Sequence, residues 1–195
     1  MATFSELLLR PGIKLEEVTA HLDALAHPER VAQTVALGKP EQMKLWEIAE
    51  NSTALTFDYL LPRDAAPLAD FPFEGKNSLP FFTRFQKVFY LDRSRNICGY
   101  NNQAMAWFTG PGYYMVQMNP KAAKEIQIDY TRLPTEHPDG WPEIKSNMAF
   151  PTRFIYGGTK DNLRWVSKDV VIGRAYKMGE TPIPNWFILC RKDPR

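Results

Sequence analysis

KNSLPFFTRFQKVFYLDRSRNICGYNNQ, residues 76–103, is the stretch whose reading decides the fold class. Successive side chains of an extended chain point to opposite faces, and between 81 and 91 two such patterns interleave. Phe81, Thr83, Phe85, Lys87, Phe89 and Leu91 make one face, the oily one. Phe82, Arg84, Gln86, Val88 and Tyr90 make the other, aromatic with hydrogen-bonding groups between. DRSRN (92–96) has the composition of a hairpin loop, so the chain from Ile97 onward can pair back antiparallel. Gly99 removes a side chain inside that return strand, the mark of a bulge, a bend or a close backbone approach. Asn101, Asn102 and Gln103 follow at once, and adjacent amides are poor strand formers.

Upstream, residues 1–50 are helical in pattern and distinct in charge. They hold eight acidic and five basic residues, net −3, which leaves +5 for the remainder of a chain of formal charge +2. Leu15, Val18, Leu22 and Leu25 recur at helical spacing. Pro28 and Pro40 sit where first helical turns begin and Gly38 where a helix stops, which predicts helices near 14–26, 28–37 and 40–50. Helices this short need something to pack on, and a cap on the sheet is the expectation. A separate partner-binding module, for a second copy or another protein, is the alternative.

From residue 53 the period changes to two. Strands are expected at LTFDYLL (55–61), 113–118, EIQIDYTRL (125–133), TRFIY (152–156), LRWVS (163–167), VVIGRAYKM (170–178) and WFILCR (186–191). Loops are expected over 62–75 and 134–151, and turns over 157–162 and 179–185. Roughly nine short strands on hairpin-length loops argue for antiparallel connection, since parallel neighbours need crossover helices. The expected fold is therefore α+β, mainly β: a helical segment over 1–50, then an antiparallel meandering barrel of about 8–10 strands over 51–195, with a two-sheet sandwich as second choice.

The ending VSKDVVIGRAYKMGETPIPNWFILCRKDP resembles the closing hairpin of calycin-type barrels, in particular the plastid lipid-associated (fibrillin) proteins. A strand, a basic turn region and a final aromatic strand ending in Arg carry the likeness over about thirty residues. The resemblance implies a lipid or other apolar small molecule in the barrel.

Bulk numbers and missing motifs exclude more than they assign. A net charge of +2 is too small to argue for nucleic acid or an anionic membrane surface. No apolar run approaches the ~20 residues of a membrane span, the start of the chain carries no signal-peptide pattern, and Cys98 and Cys190 each sit inside an apolar strand. Buried free thiols and a cytoplasmic location are the expectation. The three histidines, His21, His27 and His137, show no metal-ligand spacing, no CxxC or GxSxG occurs, and Gly110-Pro111-Gly112 leads into a strand rather than a helix. Neither a metal nor another cofactor is expected.

What remains is polar groups on strands that otherwise want burial: Arg84, Gln86, Tyr100, Asn102, Gln117, Tyr130, Arg132, Arg153, Arg164 and Arg174. A buried Arg must be paired, and in a barrel lumen a ligand carboxylate can do it in bidentate fashion. Trp107, Tyr113, Tyr114 and Trp165 are aromatic candidates for the same cavity. Three classes stay open: a carrier or sensor of a small apolar, carboxylate-bearing molecule; a barrel isomerase or cyclase working by general acid–base chemistry; and an interaction module using the acidic helices.

Overall fold

Eight antiparallel strands close on themselves in sequence order, each pairing with the next and the last with the first. The computed structural model describes residues 3–80, 83–104, 106 and 110–194. The strands are β1 (Phe71–Asn77), β2 (Arg84–Leu91), β3 (Ile97–Asn102), β4 (Tyr114–Met118), β5 (Ile126–Asp129), β6 (Thr159–Trp165), β7 (Val170–Lys177) and β8 (Thr181–Arg191). Before them come α1 (Phe4–Leu8), α2 (Leu15–Ala24), α3 (His27–Thr34), α4 (Lys39–Ile48) and α5 (Phe57–Leu60). The meandering barrel expected from the alternation is what the chain forms.

Pairing across β2 and β3 matches Lys87 with Asn101, Phe89 with Gly99 and Leu91 with Ile97. Residues paired across a ladder share a face, so the oily face of β2 is the luminal one. It joins Phe73, Tyr114, Ile128, Leu163, Val171, Phe187 and Leu189 in the interior core. In three inward-facing pairs a glycine stands opposite an aromatic residue: Gly75 with Phe85, Gly99 with Tyr114 and Gly173 with Phe187. The Tyr114 ring lies flat across β3, where a Cβ on Gly99 would stand 2.4 Å from it, and donates a 3.0 Å hydrogen bond to the Val88 carbonyl. A Cβ on Gly173 would meet the Phe187 ring at 2.2 Å, so these glycines are close-approach sites that bring rings against the barrel wall.

Both sides of the wall are apolar, and different parts of the chain cover the outside. Val166, Val170, Ile172, Trp186, Ile188 and Cys190 face outward into a second core with Phe4, Leu8, Val18, Leu22 and Leu45 of the helices. Arg30 of α3, 3% exposed, pairs with fully buried Asp169 in the β6–β7 turn, which Arg191 approaches at 3.5 Å from the end of β8. Over β2–β4 the irregular segment 134–151 covers Val88, Tyr90, Cys98, Tyr100 and Tyr113, with Trp141 against Tyr100 at a ring separation of 3.9 Å.

Several expectations are corrected, among them the turn read over 179–185, which holds Thr181–Asn185 of β8. LTFDYLL (55–61) holds the short helix α5; Leu55, Leu60 and Leu61 plug the lower end of the barrel while Phe57 is 38% exposed. A closed barrel leaves no free edge with which such a run could pair. TRFIY (152–156) is a 3₁₀ turn with Phe154 and Ile155 exposed. The stretch 157–162, read as a turn, contains the first half of β6, because Asp161 and Asn162 find buried polar partners that outweigh their poor strand propensity. The expected loop 62–75 contains most of β1, whose pattern Pro72 and Gly75 obscure.

Both thiols are fully buried on the outer face of their strands, and burial pushes each up to about 12. Labelling of the native protein with a disulfide reagent is accordingly expected to be slow, rising to two thiols per chain after denaturation. Fast reaction at Cys98 in the native state would contradict the packing of segment 134–151 described above.

Candidate functional site

Among the described residues the upper end of the barrel is open. There the β1–β2, β3–β4 and β5–β6 connections, with Ala175 of β7 and Asn185 of β8, surround a cavity of ≈ 380 Å³. Leu79, Pro80, Ala104 and Ile155 stand around its entrance; Phe85, Tyr130, Tyr156, Ala175 and Phe187 form its walls. At its floor lies a polar cluster set among the aromatic side chains of the lumen.

Lys87 is the centre of that cluster. It is 1% exposed, and its Nζ donates to Tyr130 Oη at 2.6 Å and to Asp161 Oδ2 at 3.2 Å. An ammonium has three N–H groups, so one remains for a further acceptor. Four rings surround the nitrogen, those of Phe187 and Tyr114 at 5.0 Å, Tyr130 at 5.1 Å and Phe85 at 5.9 Å. Phe85, Tyr114 and Phe187 are the aromatics placed by the three glycine pairings. The backbone device that flattens rings against the wall thus builds the cage around the lysine.

Asn101 fixes the neighbouring phenol: its Nδ2 donates to Tyr130 Oη at 3.1 Å and to the Gly112 carbonyl at 3.2 Å. Tyr130 stacks on Tyr156 with ring centroids 5.0 Å apart, and Gln103 Nε2 donates to Tyr156 Oη at 3.0 Å. Desolvation pushes Lys87 below the usual lysine range, and the charge and hydrogen bond of Asp161 offset only part of it. Desolvation likewise raises Asp161, with the Lys87 charge working against it. Burial drives Tyr130 well above the ordinary phenol value, so that hydroxyl stays protonated at neutral pH.

The residues singled out in the sequence are distributed over several places. Arg84 and Tyr130 line the cavity, Arg84 at its exposed entrance. Tyr114 is in the lumen as part of the cage. Gln86 and Asn102 point outward and bond to each other at 2.9 Å, with Gln86 also donating to Glu74. Tyr100 lies under segment 134–151. Gln117 and Arg132, bonded at 3.0 Å, line a separate surface groove near Arg63 and Arg95. Arg153 is exposed over the Phe154 ring. Trp107 lies outside the described residues. Of the remaining arginines, Arg164 pairs with Glu125 at 2.8 Å and lies 3.8 Å over the Trp46 ring, and Arg174 lies over Trp186, both on the outer face.

Lys87, Asn101, Asp161 and Tyr156 were not among the candidates. A lysine interrupting the oily face of β2 was the available signal, because a charge at an inward position needs a partner inside. Asp161 gave none, since TKDN reads locally as a turn. Among the described residues no group of three or more His, Cys, Asp or Glu is placed to hold a metal ion, and no helix is long and apolar enough to cross a membrane. No family model, no curated protein and no solved structure matches the chain.

Proposed function

We propose that the barrel binds a small, mainly apolar molecule in the upper cavity, oxygen end down, as a carrier or sensor. The observation that supports this reading is an open cavity of ≈ 380 Å³ with aromatic walls and a polar floor, within the ~300–1,000 Å³ range of ligand pockets. The Lys87 charge is already matched by Asp161, so the floor favours a neutral oxygen, such as a carbonyl, over a second carboxylate. A carboxylate on the ligand finds its partner at the entrance, at Arg84. The resemblance to the fibrillin-type calycins points toward the same kind of cargo. Against the interaction-module alternative, the apolar faces of the helices are taken up against β7 and β8.

Purified protein extracted with organic solvent is expected to yield an apolar, oxygen-bearing molecule by mass spectrometry. Ala175→Trp, which fills the cavity from its wall, loses it, and the surface change Lys192→Ala keeps it. An empty wild-type extract, together with equal binding of the fluorescent probe anilinonaphthalene sulfonate to wild type and Ala175→Trp, would sink the proposal.

A further inference from the structure

We infer that Lys87 is a covalent anchor, binding small apolar aldehydes or ketones as a Schiff base at the floor of the cavity. This rests on the binding reading above and adds to it the chemical class of the ligand.

Lys87 is the one buried lysine among the described residues, and it faces a cavity that opens to solvent. A desolvated lysine in an apolar pocket is the form in which this side chain becomes a nucleophile, and burial here favours the neutral amine. Asp161, 3.2 Å away, is placed to receive a proton from the ammonium and to give it back. Among the described residues no other acidic side chain lines the cavity. Tyr130, itself fixed by Asn101, holds the nitrogen in place from the other side.

The step balances without a further reagent. The Lys87 ammonium passes a proton to the Asp161 carboxylate, and the nitrogen lone pair attacks the carbonyl carbon. As the C–N bond forms, the carbonyl electron pair moves to oxygen, which with proton transfer becomes the hydroxyl of a carbinolamine. Asp161 returns its proton to that hydroxyl, the C–O bond breaks and water leaves. The product is a protonated imine on Lys87 beside an ionised Asp161, the same net charge as at the start. The ring faces around the nitrogen then stabilise the iminium as they did the ammonium.

The test uses benzaldehyde at pH 7, a short incubation, a borohydride quench and peptide mapping by mass spectrometry. One benzyl group per chain is expected, on Lys87, at aldehyde concentrations that leave the surface lysines unmodified. Ala175→Trp loses the label while retaining Lys87, and Asp161→Asn slows its appearance by about 10²-fold. Label confined to surface lysines, at concentrations where benzaldehyde displaces the fluorescent probe from the wild-type cavity, overturns the covalent step and leaves the binding reading standing. If benzaldehyde neither labels Lys87 nor competes, and the probe does not distinguish wild type from Ala175→Trp, both fall together.

Discussion

Lys87→Met is expected to lower the stability of the protein at pH 7 by about 3–5 kcal/mol, because it leaves the Asp161 carboxylate buried and unpaired. At roughly 2–4 °C per kcal/mol for a chain of this length, the loss is plain in a thermal melt. Its pH dependence identifies the cause. Without the lysine, the Asp161 value in the fold rises further above the ordinary ~3.9, since burial alone already raises it. The folded protein then keeps a proton that the unfolded chain has released, and stability falls as pH rises through that window. Below the ordinary carboxylate value both states are protonated and the penalty of the unpaired carboxyl vanishes, so the variant recovers toward wild type in acid. Replacing both partners, Lys87→Met with Asp161→Leu, is expected to restore stability to the wild-type level or exceed it by about 1–4 kcal/mol. A double variant no more stable than the single one would show that the pair holds the barrel together instead of serving the cavity.

Removal of residues 1–50 is the second large effect. It uncovers Val166, Val170, Ile172, Trp186, Ile188 and Cys190 on the outer wall and takes Arg30 away from buried Asp169. At ~1.5–3 kcal/mol for each large apolar side chain, the lost burial is on the order of 10 kcal/mol, comparable with the whole stability of a typical domain. The truncated chain should therefore aggregate or unfold at ambient temperature. A soluble monomer melting at the full-length temperature would make the helices an independent module and reopen the interaction reading.

The legibility of this chain differed by element for physical reasons. β7 and the second half of β8 were plain because VVIGRAYK and WFILCR are β-branched or aromatic runs, whereas the first half of β8, Thr181–Asn185, lies in a stretch that reads locally as a turn. The helices were legible from their stripes and prolines, although α1 carried no comparable pattern. β6 was shifted and α5 was mistaken for a strand, since in short runs the local preference is weak and the partner decides. The candidate site was the least legible part. Its members come from β2, β3, β6 and the end of β5, and nothing local to TKDN says that Asp161 meets a lysine 74 residues away.

By itself the sequence determined which residues share a face, because the two-residue period of an extended chain is a covalent property of the backbone. It also determined antiparallel connection, through hairpin-length loops, and the absence of familiar catalytic and metal-binding spacings. Only the tertiary structure decided which face is the inside. Both faces of β2 are apolar enough to be buried, and the choice depends on what covers the other: segment 134–151 over Val88, Tyr90 and Tyr100, the helices over Ile172 and Ile188. With the outer faces covered, the lumen receives Phe85, Lys87 and Phe89, and the one charge on that face must find its partner across the barrel, at Asp161.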